Sequence, residues 1–223
     1  MREYILERVK NTTRNFRLGG IEVEEVDPLP DNINLDHILK AIENNFPSHY
    51  FNGVKGIKIN HLEDFDKREV NALYRDGYLY ITNQQDDGED IVNDIIHEFA
   101  HHMETLYSEK IYGDESIKKE FLKKRKQLKQ EIQAEGYWVG EYDFEDLKFS
   151  TSFDRFLYKR VGKNLLRMLT SGLFIRPYAS VSLREYFATG FEAYYLGKRD
   201  DLKKISPFLY LKIDELHKDL YNK

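Results

Sequence analysis

The sequence predicts an α+β fold, mostly helical, with a small sheet confined to the first half. Helical periodicity recurs in runs of ten or more residues, whereas the segments read as strands lie between Val54 and Thr82. Hydrophobic residues make up 41% of the 223, with 16 Tyr and 14 Phe, so there is enough apolar mass for a core and wholesale disorder is excluded. The length fits a single domain spanning residues 1–223, with an insertion around 136–177.

Residues 1–32 are polar and mixed, and Asp27-Pro28-Leu29-Pro30-Asp31 marks a break. Leu35, Ile38, Leu39, Ile42 and Phe46 then follow helical spacing up to Pro47, which ends the helix. Val54 to Leu62 predicts a strand, because Ile57 and Ile59 alternate with lysines. A hairpin follows, with Asn71–Tyr74 and Tyr78–Thr82 joined around Asp76-Gly77. Next, Asp86-Asp87-Gly88-Glu89-Asp90 supplies turn and cap residues whose acids suit the positive end of a helix dipole. Ile91, Val92, Ile95, Ile96, Phe99, Met103 and Leu106 give the helix behind them a wide buried face.

Residues 115–135 predict a Lys-rich helix around Phe121, Leu128 and Ile132, its charges forming a solvated face. Residues 136–177 are aromatic and mixed, which suggests short helices and loops. A helix runs from about Leu183 to Leu196, and the last begins at Ser206-Pro207 with the stripe Leu209, Ile213, Leu216 and Leu220.

A formal charge of −5, from 34 Lys+Arg against 39 Asp+Glu, gives no global field for nucleic acid, which is not an expected partner. No stretch approaches 18 apolar residues, so no membrane span is expected. The charged start Met1-Arg2-Glu3 to Arg8 lacks the apolar run of a signal peptide. The expectation is a monomer that is cytoplasmic or delivered without a classical signal. Cys is absent, so a metal site must be built from His and carboxylates.

His97-Glu98-Phe99-Ala100-His101 lies inside the most hydrophobic helix. Two His four residues apart share a helical face, a spacing that lets both imidazoles bind one Zn²⁺, and Glu98 beside the first is placed as general base. With 7 His and 21 Glu in 223 positions, chance yields this pattern about 0.02 times per chain. Polar groups buried in such a helix are costly unless something such as a metal satisfies them. A catalytic zinc takes a third protein ligand. Glu104 and His102 are too close along the same helix to complete the tripod, and His217 suits a surface position. Glu185 and Glu192, seven residues apart on the later helix, share a face, and spacing alone does not choose between them.

Tyr178, Glu185, Tyr186-Phe187-Ala188 and Phe191 together resemble the second zinc motif of the anthrax lethal factor-like metallopeptidases, which include the clostridial Pro-Pro endopeptidases. The resemblance covers roughly residues 70–220 and implies a zincin-like fold, with the small sheet preceding the HExxH helix. It implies His97, His101 and Glu185 as ligands of Zn²⁺, Glu98 as catalytic base and Tyr178 as the hydroxyl that stabilises the transition state. Asp76-Gly77 through Gln84 is similar to the family's strand that lines the substrate cleft, which implies a substrate added to Tyr78–Thr82 as an edge strand. Three features depart from the family. The stretch between His101 and Glu185 is long, Thr189 stands where an acid is expected behind the third ligand, and Arg184 stands where the Pro-Pro enzymes carry an acid. Arg184 either borders the cleft and favours acidic substrates or points to solvent and pairs with a nearby surface acid.

The expectation is a zinc-dependent metalloendopeptidase acting on a protein or peptide substrate. The alternatives are a non-catalytic zincin-fold binding module, or an intracellular or phage-borne regulatory peptidase with one dedicated protein substrate.

Overall fold

The structure, a computed structural model, describes residues 13–68 and 70–221. The charged start at Met1 and the side chain of Leu220 lie outside what it describes. The fold is mixed α and β, mostly helical, with one small sheet. The chain divides into two compact units, Met1–Met103 and Glu104–Lys223. No helix among the described residues is long and apolar enough to cross a membrane.

The first unit holds β1 (Arg14–Leu18), β2 (Ile21–Glu25), α1 (Leu35–Asn45), β3 (Gly56–Ile59), α2 (Glu63–Arg68), β4 (Ala72–Arg75) and β5 (Tyr78–Ile81). It also holds most of α3 (Gly88–Tyr112). The sheet order is β1-β2-β3-β5-β4, with β3 parallel to both β2 and β5 and an antiparallel hairpin on either side. One face buries Val23, Ile57, Ile59, Leu79 and Ile81, which the period of two brings to the same side. Phe46, just after α1, and Phe51 close on Phe99 of α3 with ring centroids 5.4 and 5.2 Å away.

Both hairpins turn on two residues with positive φ, Asp76 and Gly77 at 56° and 89°, Gly19 and Gly20 at 55° and 90°. That pair of angles is the mark of a type I′ turn, which suits the twist of flanking strands. The β4–β5 hairpin matches the sequence expectation, and the strand expected over Val54–Leu62 is present in shorter form as β3. The β1–β2 hairpin lies in the stretch read as polar and mixed.

Asp87 caps α3, its Oδ1 accepting from the N–H groups of Glu89 and Asp90 at 2.8 and 3.1 Å. The helix loses ideal geometry at Tyr107 (φ −123°, ψ 25°), and Leu106, expected on the buried face, is 50% exposed. Met103 is buried before this break and Ile111 is buried again after it.

The second unit contains α4 (Ser116–Ala134), α5 (Thr151–Arg155), a π-helical stretch (Phe156–Gly162) and α6 (Lys163–Thr170). A 3₁₀ turn (Pro177–Ser180), α7 (Leu183–Tyr195), α8 (Arg199–Ile205) and α9 (Pro207–Tyr221) complete it. Helix α8 was not anticipated. Every residue of α7 from Glu185 to Tyr194 is buried, so α7 is the central helix of this unit. Pro207 opens α9 as expected, and the N–H groups of Phe208 and Leu209 are accepted by the carboxylate of Glu120. The charges of α4 are not all a solvated face, because Lys124 and Arg125 are buried among its apolar residues. Lys124 Nζ donates to the carbonyls of Leu173 and Ile205, each at 2.6 Å, and burial lowers its pKa to about 8.

Candidate metal centre

His97, Glu98 and His101 sit in the middle of α3, the helix whose apolar face is driven into the core of the first unit. Residues four apart stand about one turn from each other on one face. The imidazoles of His97 and His101 accordingly meet at 4.9 Å between ring centroids, with planes at 90°. One ligand atom from each of His97, Glu98 and His101 lies within 4.8 Å of the others, a group that could hold a metal ion. Glu98 and His101 are 4% and 5% exposed, and His97 is partly buried.

The neighbours of this group show what it is not built from. His102 is 1% exposed, and its Nε2 faces the carbonyl of Asn52 at 2.9 Å while Tyr74 Oη stands 3.0 Å from Nδ1. A carbonyl only accepts, so Nε2 carries the proton and Nδ1 accepts from the tyrosine. Burial holds this imidazole below its ordinary pKa, and both nitrogens are engaged in structural bonds. Glu104 is taken by Tyr112, which donates to Oε1 at 2.6 Å, and by Arg184, whose Nε lies 3.2 Å from Oε2. Arg184 is thus half exposed and paired with an acid, although Glu104, at 16% exposure, is not the surface acid expected.

Asp94 is a member of this face that sequence reasoning missed. It lies one turn before Glu98, and its Oδ2 accepts from Gln85 Nε2 at 2.9 Å. Burial pushes its carboxyl up to about 6 against the pull of that hydrogen bond, and the charge of Glu98 adds to the rise. The i, i+4 spacing to Glu98 was the available signal.

In the second unit, Tyr178 is carried by the 3₁₀ turn and is partly buried, while Glu185 stands in the first turn of α7 and is 9% exposed. Ser182 caps α7, its Oγ accepting from the Glu185 N–H at 3.2 Å. Thr189, where an acid was expected, donates its hydroxyl to the Glu185 carbonyl at 2.8 Å and so binds backbone, not carboxylate. Glu192 is gripped by Arg176, Nη1 to Oε1 at 2.9 Å and Nη2 to Oε2 at 2.5 Å. Both of its oxygens are thus held by Arg176.

The strand Tyr78–Ile81 is not an edge. β5 lies between β3 and β4 and is paired on both sides, so a peptide has no open ladder there. On that side of the sheet the last strand is β4.

Compared with known proteins, the chain matches no family model, no curated protein and no solved structure.

Proposed function

We infer that the chain is a zinc-dependent metalloendopeptidase with a zincin-like fold of the lethal factor-like kind. The observation that carries this reading is the group His97, Glu98 and His101, two imidazoles and a carboxylate held within 4.8 Å on one buried helical face. Imidazole with carboxylate is a donor set suited to Zn²⁺, and no thiolate competes in a chain without Cys. His97, His101 and Glu185 are the ligands of this reading, Glu185 being chosen by the resemblance of the Tyr178–Phe191 pattern.

Zinc, when bound, supplies Lewis acidity that makes water a nucleophile near neutral pH. Glu98 takes the proton of the attacking water and passes it to the leaving amine, which its buried position beside the first His favours. The Tyr178 hydroxyl donates to the oxyanion that develops on the scissile carbonyl. The protein or peptide substrate lies extended along β4.

Elemental analysis of the purified protein tests the reading, with about one zinc per chain expected. A peptide library then follows with and without chelator. Glu98→Gln keeps fold and zinc and loses most turnover. Protein with no transition metal after gentle purification overturns the assignment, and full activity of Glu98→Gln removes Glu98 as the base.

A further inference from the structure

Arg125 is the largest fully buried side chain among the described residues, at 1% exposure. It comes from α4, and every hydrogen bond it makes goes to a backbone carbonyl. Nη1 donates to Ser180 at 3.0 Å and Val181 at 3.3 Å, and Nη2 donates to Asp143 at 3.0 Å. Its plane is covered by Phe153, whose ring centre is 4.1 Å from Cζ, with Phe121 and Phe144 at 5.3 and 5.6 Å. Phe144 and Phe153 meet edge to face at 5.0 Å. Taking a cation out of water is costly, and charge-assisted bonds and aromatic faces offset that cost only when the geometry is kept.

Two of the three carbonyls belong to one short segment. Ser180 ends the 3₁₀ turn that carries Tyr178, and Val181 precedes Ser182, the cap that holds the Glu185 N–H. A 3₁₀ turn leaves its last carbonyls without partners inside it, and here Arg125 takes them. The third carbonyl and two of the covering rings come from residues 143–153, inside the stretch that looked like an insertion. Leu183 N–H adds a bond to the carbonyl of Leu147 at 2.9 Å. Segment 143–153 is therefore tied to 180–183 both through Arg125 and directly.

We propose that Arg125, enclosed by residues 143–153, is the positioning residue that sets Tyr178 and Glu185 in place for the reaction. This rests on the roles given to those two residues above. The extra stretch is then a brace and not an appendage.

Arg125→Lys in the full-length protein tests this, because an ammonium cannot reach three carbonyls in a fork. Amide hydrogen exchange at 178–185 speeds up at least about tenfold, while that of β3 and β5 is unchanged. Zinc affinity by chelator competition weakens about 10–100-fold, as for other groups that orient a ligand. Tyr178→Phe, which slows the parent strongly, adds less than about threefold in the Arg125→Lys background, since the hydroxyl is already misplaced. Unchanged exchange at 178–185, or the full Tyr178→Phe effect in both backgrounds, overturns the proposal. Should Arg125→Lys not fold, Phe153→Leu removes the ring over the guanidinium and is read by the same exchange and cycle. A parent protein with neither metal nor peptidase activity overturns the peptidase reading, and with it the catalytic purpose of the brace. Exchange then still decides whether Arg125 holds 178–185 in place.

Discussion

Arg176 holds both carboxylate oxygens of Glu192, at 2.9 and 2.5 Å, with the acid largely buried and the guanidinium 39% exposed. A fork-to-fork pair of this kind links the segment before the 3₁₀ turn to the last turn of α7, and it gives Glu192 a structural role. Glu192→Ala removes the carboxylate that the guanidinium holds and destabilises the fold by about 1–3 kcal/mol, with zinc content unchanged. Glu185→Ala has the opposite signature at the metal, a loss of zinc. Thermal denaturation and metal analysis of the two variants side by side check this, and loss of zinc from Glu192→Ala would exchange the two roles.

Tyr178→Phe deletes one hydroxyl and keeps the ring. Zinc content and KM stay near those of the parent, and kcat falls by roughly 10–1000-fold. Steady-state kinetics on a cleaved peptide decide it, and a rate within twofold of the parent returns Tyr178 to the ordinary tyrosines.

Asp94 ionises near 3.8 in an unfolded chain and near 6 in the folded one. Protonation is thus favoured by folding, so the group's contribution to stability is complete below pH 4 and is lost as pH rises through about 6. Above that the buried carboxylate weakens metal-free protein by at most about 3 kcal/mol. Asp94→Asn in chelator should melt higher than the parent at pH 7.5, with the difference fading toward pH 4. A divalent cation on His97 and His101 favours the carboxylate, so the same substitution gains less in metal-loaded protein. Melting curves across pH that stay parallel for the two proteins would contradict the assignment.

Arg184 is 49% exposed and paired with Glu104. Arg184→Ala costs less than about 1 kcal/mol, as is usual for a solvent-screened pair, and leaves the cleavage profile unchanged. A profile that moves away from acidic peptides would place the guanidinium at the substrate instead.

The parts of the fold that sequence made legible are those fixed by local pattern. The apolar face of α3 put two His and a Glu at one depth, and Asp76-Gly77 between alternating residues defined its hairpin. Gly19-Gly20, flanked by Phe16, Leu18, Ile21 and Val23, carried the same signal, masked by the charges Arg17 and Glu22 interleaved with them. Lys124 and Arg125 escaped notice because a run of cations resembles a wet surface. Yet they fall on the stripe Phe121, Leu128 and Ile132 at spacings of three and four, and the structure buries them there. The parallel pairing of β3 with β2 and β5 depends on contacts far apart in sequence, which no local pattern encodes. That is also why β5 was mistaken for an edge.

The place of β3 in the sheet has a kinetic consequence. Each flanking hairpin closes over two residues and forms within microseconds, but neither can join the other until residues 56–59 dock between them. Those pairings span more than twenty residues on each side, so loop-closure entropy is spent before any ladder forms. The rate of refolding is therefore governed by a four-residue strand. In stopped-flow experiments Ile57→Val should slow refolding, whereas Tyr80→Ala on the hairpin's other face should act mainly on unfolding.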